Sequence, residues 1–320
     1  MPELANQADL AHIHLLINHF PTIGTILGLG LLLLSFIRKN EHLKKVSFEV
    51  LFLIAIMTMP VYVSGNASAE VLKGQPGVSA KAIVAHNDAA LGSFVMMEIT
   101  GFFAWLALWR MRRIGRLTTG LTYTVLVLAI LTVAAVSRAA NLGGDIRHPE
   151  IAGGQYSGLF GTPGTPFLTA AGIKAFVLQH PFVWPTCETL HFVGMSLMFG
   201  VLMLVNLRLL GWLRGMSFAS VHRLLPFGLM GFGINFITGM FFFIAASEQY
   251  TQNVAFHWKV ILLELAGINY LVLTVYDEAW KLPASADAPL LGKLLGASAL
   301  VLSVGVMYFG RMLPFIGNAF

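Results

Sequence analysis

His12-Ile-His14-Leu-Leu-Ile-Asn18-His19-Phe-Pro21-Thr-Ile-Gly24-Thr-Ile-Leu-Gly28-Leu-Gly30-Leu-Leu-Leu-Leu-Ser35-Phe-Ile37 runs without one carboxylate, lysine or arginine. A helix of about 20 apolar residues, rising about 1.5 Å per residue, covers the roughly 30 Å of a bilayer's hydrocarbon core. The stretch therefore reads as a membrane-crossing helix. Others of the same character follow, and spans are expected over about 12–37, 47–65, 83–109, 118–138, 184–212, 219–246, 255–277 and 290–313.

Composition excludes a water-soluble domain: 57% of the 320 residues are hydrophobic and only 11% are charged, too few to cover a wetted surface. Alternating the crossings gathers Arg38, Lys39, Lys44, Lys45, Arg110, Arg112, Arg113, Arg116, Arg208, Arg214 and Arg223 on one side, which the positive-inside rule makes cytoplasmic. Both termini are then extracytoplasmic. Trp105, Trp109, Trp184, Trp212, Trp258 and Trp280 fall at expected helix ends, where amphipathic rings settle at the headgroups. The net charge of +5 reports this topology and an attraction to anionic membrane lipid. It does not mark a nucleic-acid partner, and no nucleic-acid motif is present. Glu3 and Asp9 precede the first span without a basic segment, so that span is expected to stay as an anchor.

The expected fold is all-α, with about eight transmembrane helices in two four-helix bundles. Residues 1–138 form the first bundle and 184–320 the second. The connection over 139–183 carries Gly143, Gly144, Pro149, Gly153, Gly154, Gly161, Pro163, Gly164 and Pro166, as an extracytoplasmic loop would. Within it, the apolar spacing from Phe167 to His180 predicts a short helix on the membrane surface, and a partner-binding loop is an equal reading.

Histidine recurs near the start of the odd-numbered spans: His14 and His19, His86, His191, and His257. A buried metal or haem site needs imidazole supplied in this way at one face. His14 and His19 stand five residues apart, about 140° around a helix, so they cannot share one face. The deeper His19 is preferred, and His19 with His86 forms the first expected axial pair. His191 with His257 forms a second. Haem b, one or two per chain, suits imidazole ligands in an apolar setting, with Arg138, Arg147 and Lys259 as cations for its propionates. The ordinary alternative is that each imidazole only hydrogen-bonds a neighbouring helix.

Cys187 is the single cysteine, so neither a disulfide within the chain nor the Cys-x-x-Cys-His attachment of a c-type haem can form. Glu188-x-x-His191 has the spacing of a di-iron site, but one copy lacks the further carboxylates that such a site needs, with only Glu98 and Glu264 in the spans. Glu188 and Asp88 are the nearest acids for a quinone at the bilayer edge.

The run from His14 to Gly24, the segment Gln75-Pro76-Gly77-Val78-Ser79 and His86-Asn-Asp-Ala-Ala resemble the DUF2231 family of bacterial membrane proteins, as does Gly143-Gly144-Asp-Ile-Arg-His148. Glu188-Thr-Leu-His191-Phe-Val-Gly194, Asn206-Leu-Arg208-Leu-Leu-Gly211 and His222-Arg-Leu-Leu-Pro226 are similar to the DUF6644 family. Both resemblances imply a b-type cytochrome-like protein of the bacterial inner membrane. They add His148 as an alternative first-half ligand and leave His257 without a counterpart in the second family. The expected function is electron transfer between the quinone pool and an extracytoplasmic redox partner, a cytochrome or other subunits of a membrane complex. The competing expectations are a haem-free anchoring subunit and a small-solute or metal-ion permease.

Overall fold

The computed structural model describes residues 6–115, 119–147, 169–276, 278–283 and 285–316. Every regular element among them is helical. In chain order these are α1 (Gln7–Ile17), α2 (His19–Arg38), α3 (Glu41–Leu72), α4 (Ala80–Ile114), α5 (Thr119–Arg147), α6 (Ala170–Gln179), α7 (Val183–Leu209), α8 (Phe218–His222), α9 (Leu225–Ala245), α10 (Ser247–Gln252), α11 (Val254–Val275) and α12 (Leu290–Met312). Eight helical stretches are long and apolar enough to cross a membrane. The protein is a multi-pass, all-helical membrane protein.

The first span is not one straight helix. Pro21 has no N–H to give to Ile17 and its ring crowds that carbonyl, so α1 closes at Ile17 and α2 starts beyond Asn18. Pro226, in the first turn of α9, marks a similar division of the sixth span into α8 and α9. The second and third spans run well past their expected ends. Asn40 and Ser79 cap α3 and α4, accepting from the backbone N–H groups of His42 and Leu43 and of Ala82.

The chain divides into two compact units. The first comprises Met1–Ile173 and Ser247–Val254, so α10 belongs to it and lies against α3. Within this unit α1 and α2 pack on α3, α3 on α4, α4 on α5, and α5 on α2. Small polar groups bridge these helices: Ser47 donates to the Gly28 carbonyl at 2.8 Å, and the Thr100 and Thr132 hydroxyls meet at 2.7 Å. Each such bond between membrane helices is worth about 0.6 kcal/mol. Gly101 packs directly on the Ala55 methyl, bringing α3 and α4 into close approach. Trp105 is completely buried and stacks with Trp109, so it is a core ring and not the headgroup anchor its position suggests.

The second unit comprises Lys174–Ala246 and Ala255–Phe320. Its tightest crossing joins α7 and α9, where a Cβ on Gly231 would lie 2.7 Å from the Gly194 carbonyl oxygen and the Met198 nitrogen. Tyr270 of α11 donates to the Leu225 carbonyl of α9 at 2.9 Å, and Asn269 reaches Ser298 of α12 at 2.6 Å. Arg208, expected among the loop cations, is instead fully buried. Its guanidinium lies 3.7 Å from the Phe218 ring centre and donates to the Met216 and Ala286 carbonyls at 2.6 and 3.1 Å. It ties the end of α7 to the turn before α8 and to the turn before α12. Trp280 is likewise buried, donating to the Leu273 carbonyl at 2.9 Å.

At this end the exposed Asp287 accepts from Lys293 at 2.9 Å, with Arg214 at 3.8 Å. These contacts hold its carboxyl below the usual carboxylate value, the Lys293 hydrogen bond first among them. A depressed value means that the small stability it contributes is present at neutral pH and is lost as pH falls through that lowered value. Thermal unfolding in detergent should show this acid loss in the wild type and not in Asp287→Asn. By the same measurement Gly231→Ala should cost about 1–3 kcal/mol, because its methyl group meets backbone that cannot move aside. Gly30→Ala, with open space around it, should be neutral or slightly stabilising.

Candidate functional site

His14 is half-buried on α1 and turned toward α3. Its Nδ1 lies 3.1 Å from the Val61 carbonyl and 3.3 Å from Ser64 Oγ. Ser64 donates its own hydroxyl proton back to the Pro60 and Val61 carbonyls. Since a carbonyl only accepts, the ring carries its proton on Nδ1, which leaves a lone pair on Nε2.

His86 on α4 repeats the arrangement. Its Nδ1 donates to the Ala139 carbonyl of α5 at 2.9 Å, fixing the same tautomer. Ala89, Ala139 and Leu142 form a buried apolar cluster beside it.

One backbone device makes both contacts. Helical side chains lean toward the N-terminus, so the residue at j+4 shields the carbonyl of residue j. Here j+4 is Gly65 for Val61 and Gly143 for Ala139. Without a Cβ, each carbonyl accepts its helical bond and an imidazole N–H together. A Cβ on Gly65 would fall 3.0 Å from His14 Cε1, and one on Gly143 would fall 3.1 Å from His86 Cε1.

His19 begins α2 with its side chain exposed and makes no hydrogen bond among the described residues. Within the first span it is thus His14, and not His19, whose ring meets a neighbouring helix. The helix break before Pro21 and the pull of the Val61 carbonyl turn His14 inward. His148 lies outside the described residues, as does the side chain of Arg147. Arg138 is half-buried, one residue before Ala139, and makes no hydrogen bond or ion pair among the described residues.

In the second unit, His191 Nδ1 meets Thr238 Oγ1 at 2.8 Å. Thr238 spends its hydroxyl proton on the Ile234 and Asn235 carbonyls, so its oxygen accepts and His191 too is protonated on Nδ1. Gly239 leaves space at this ring, and Phe242 tilts against it with centroids 5.9 Å apart. Lys259 of α11 passes Gly310 of α12, where a Cβ would lie 3.7 Å from its Nζ. His257 is buried, 7% exposed. Glu264 buries both carboxylate oxygens without a hydrogen-bond partner among the described residues, and no ion pair joins it to Lys259.

The two acids expected near a quinone are engaged. Asp88 accepts the Ala170 N–H at 3.1 Å, capping the start of the short helix expected in the connection, and Glu188 accepts from Trp184 Nε1 at 3.2 Å. Among the described residues no group of three or more His, Cys, Asp or Glu side chains is placed to hold a metal ion by protein ligands alone. A porphyrin iron needs only two, because the macrocycle supplies the other four. The chemistry of the donors fits such a group: His14 and His86 are imidazoles of one tautomer, each held at Nδ1 with Nε2 left to ligate.

No family model, curated protein or solved structure matches this chain.

The carbonyl-and-glycine device has its own test. Gly143→Val should eject the His86 ring and abolish its protected imidazole N–H resonance in NMR spectra. Gly144→Val, one residue away and with open space around it, should leave that resonance in place.

Proposed function

We propose that this protein is a b-type haem-binding, electron-transferring subunit of a bacterial inner-membrane redox complex. In this reading the eight spans form two four-helix bundles with both termini extracytoplasmic. Electrons pass between the quinone pool and an extracytoplasmic partner, either a cytochrome or another subunit of the complex. The observation that carries it is the repeated His14 and His86 arrangement, two imidazoles anchored through Nδ1 to backbone carbonyls with Nε2 left as a donor to iron.

Bound haem would supply one-electron chemistry through its ferric and ferrous states. The chain's own contribution is orientation and environment. The Val61 and Ala139 carbonyls hold the ring planes and raise the basicity of Nε2. Gly65 and Gly143 admit the imidazoles, and the buried alanines and leucine beside His86 keep water away. Arg138 is the available cation for a propionate. The resemblances to the DUF2231 and DUF6644 families point the same way.

A reduced-minus-oxidised visible spectrum of the detergent-purified protein, with a pyridine haemochrome assay, tests this reading. A b-type band should be present, should disappear in His14→Ala and His86→Ala, and should survive in His19→Ala. Folded protein free of haem from haem-replete cells would overturn the reading in favour of an anchoring subunit.

A further inference from the structure

The chain reverses between α2 and α3 in two residues, Lys39 and Asn40. Lys39 takes φ +50° and ψ +40°, and it is the only left-handed residue other than glycine among the described residues. From there its N–H closes α2 on the Phe36 and Ser35 carbonyls, and Asn40 bonds to the Ser35 carbonyl at 3.0 Å before its side chain caps α3. Glycine is the usual occupant of such a cap, because a Cβ there crowds the following carbonyl oxygen. A lysine that carries this cost points to a use for its side chain.

The charges around this turn do not balance. Glu41 accepts from Lys44, and Glu49 pairs with Lys45 at 3.5 Å. These are the only acids in the first nine residues of α3, so neither is left for Arg38 and Lys39. Both of those cations are exposed, and neither side chain makes a hydrogen bond or ion pair among the described residues. The Lys44 ammonium lies 5.7 Å from the centre of the Phe36 ring, which stacks in turn on Tyr123 of α5 at 5.5 Å. Ile37, next to Arg38, is 76% exposed, and Tyr123 is 51% exposed. An outward apolar and aromatic surface thus runs up to two adjacent cations that lack an anion. The turn ends a membrane-crossing stretch, which sets it at the level of the lipid headgroups.

We propose that Arg38 and Lys39 form a headgroup site for an anionic phospholipid. The two side chains donate to the lipid phosphate, and the glycerol and acyl chains lie along Ile37 and the Phe36–Tyr123 pair. The group recognised is a phosphate. Lipid is its source, because a turn at the end of a span meets headgroups at high local concentration. The site belongs to the first unit and stands whether or not the chain carries haem.

The test is thermal unfolding of the full-length protein in detergent during titration with phosphatidylglycerol, since a ligand of the folded state raises Tm. Wild-type Tm should rise saturably with phosphatidylglycerol and stay level with phosphatidylcholine or inorganic phosphate. Arg38→Gln and Lys39→Gly change exposed side chains, so both should fold. Each should raise the half-saturating lipid concentration about fivefold, the effect of one cation at a membrane surface, and the double variant should lose the response. Without lipid, Lys39→Gly should melt above the wild type, because glycine takes the left-handed position freely. Lys174→Gln removes the same charge from an exposed position on α6 and should respond as the wild type does. An unchanged lipid response in Arg38→Gln and Lys39→Gly overturns the site, and so does an equal loss of response in Lys174→Gln. A rise with inorganic phosphate as large as with phosphatidylglycerol overturns the assignment to lipid.

Discussion

A polar group buried in a membrane can find a hydrogen-bond partner only inside the protein, because the hydrocarbon offers none. This constraint shapes both the packing and the sites of this chain. Hydroxyls of Ser47, Thr100, Thr132 and Thr238 turn to backbone carbonyls or to each other. Arg208 spends its donors on the carbonyls of two turns and lays its plane on Phe218. The imidazoles obey the same rule, and their partners select the tautomer.

Glycine has two separate uses in this setting. At the crossings of α3 with α4 and of α7 with α9 it removes bulk, and the backbones approach. At Gly65 and Gly143 it uncovers a carbonyl that a side chain would hide. The second use converts a helix surface into an acceptor without breaking the helix. The two occurrences stand on different helices and face different histidines, so the first unit carries the same local solution twice.

Much of the fold was legible in the residues. Unbroken apolar length marks all eight spans, and the short helix of the connection also shows in its spacing, running over Ala170–Gln179 among the described residues. Helix ends were less legible, since Asn40 and Ser79 extend α3 and α4 by capping beyond the apolar run. The burial of Arg208, Trp105 and Trp280 was not legible either. Position along a helix states depth but not which face meets a neighbour.

The site divides in the same way. Composition and periodicity by themselves determine that the chain is an all-helical membrane protein, and they place histidine near the start of the first, third, fifth and seventh spans. They also show that His14 and His19 cannot face one way. Tertiary structure alone decides that His14 is the inward ring, that His86 meets Ala139, and that His191 meets Thr238. The reason is geometric: a hydrogen bond from a side chain to a backbone carbonyl depends on which carbonyl a neighbouring helix leaves uncovered. That depends on pairing between segments 47 and 53 residues apart, and no local pattern encodes it.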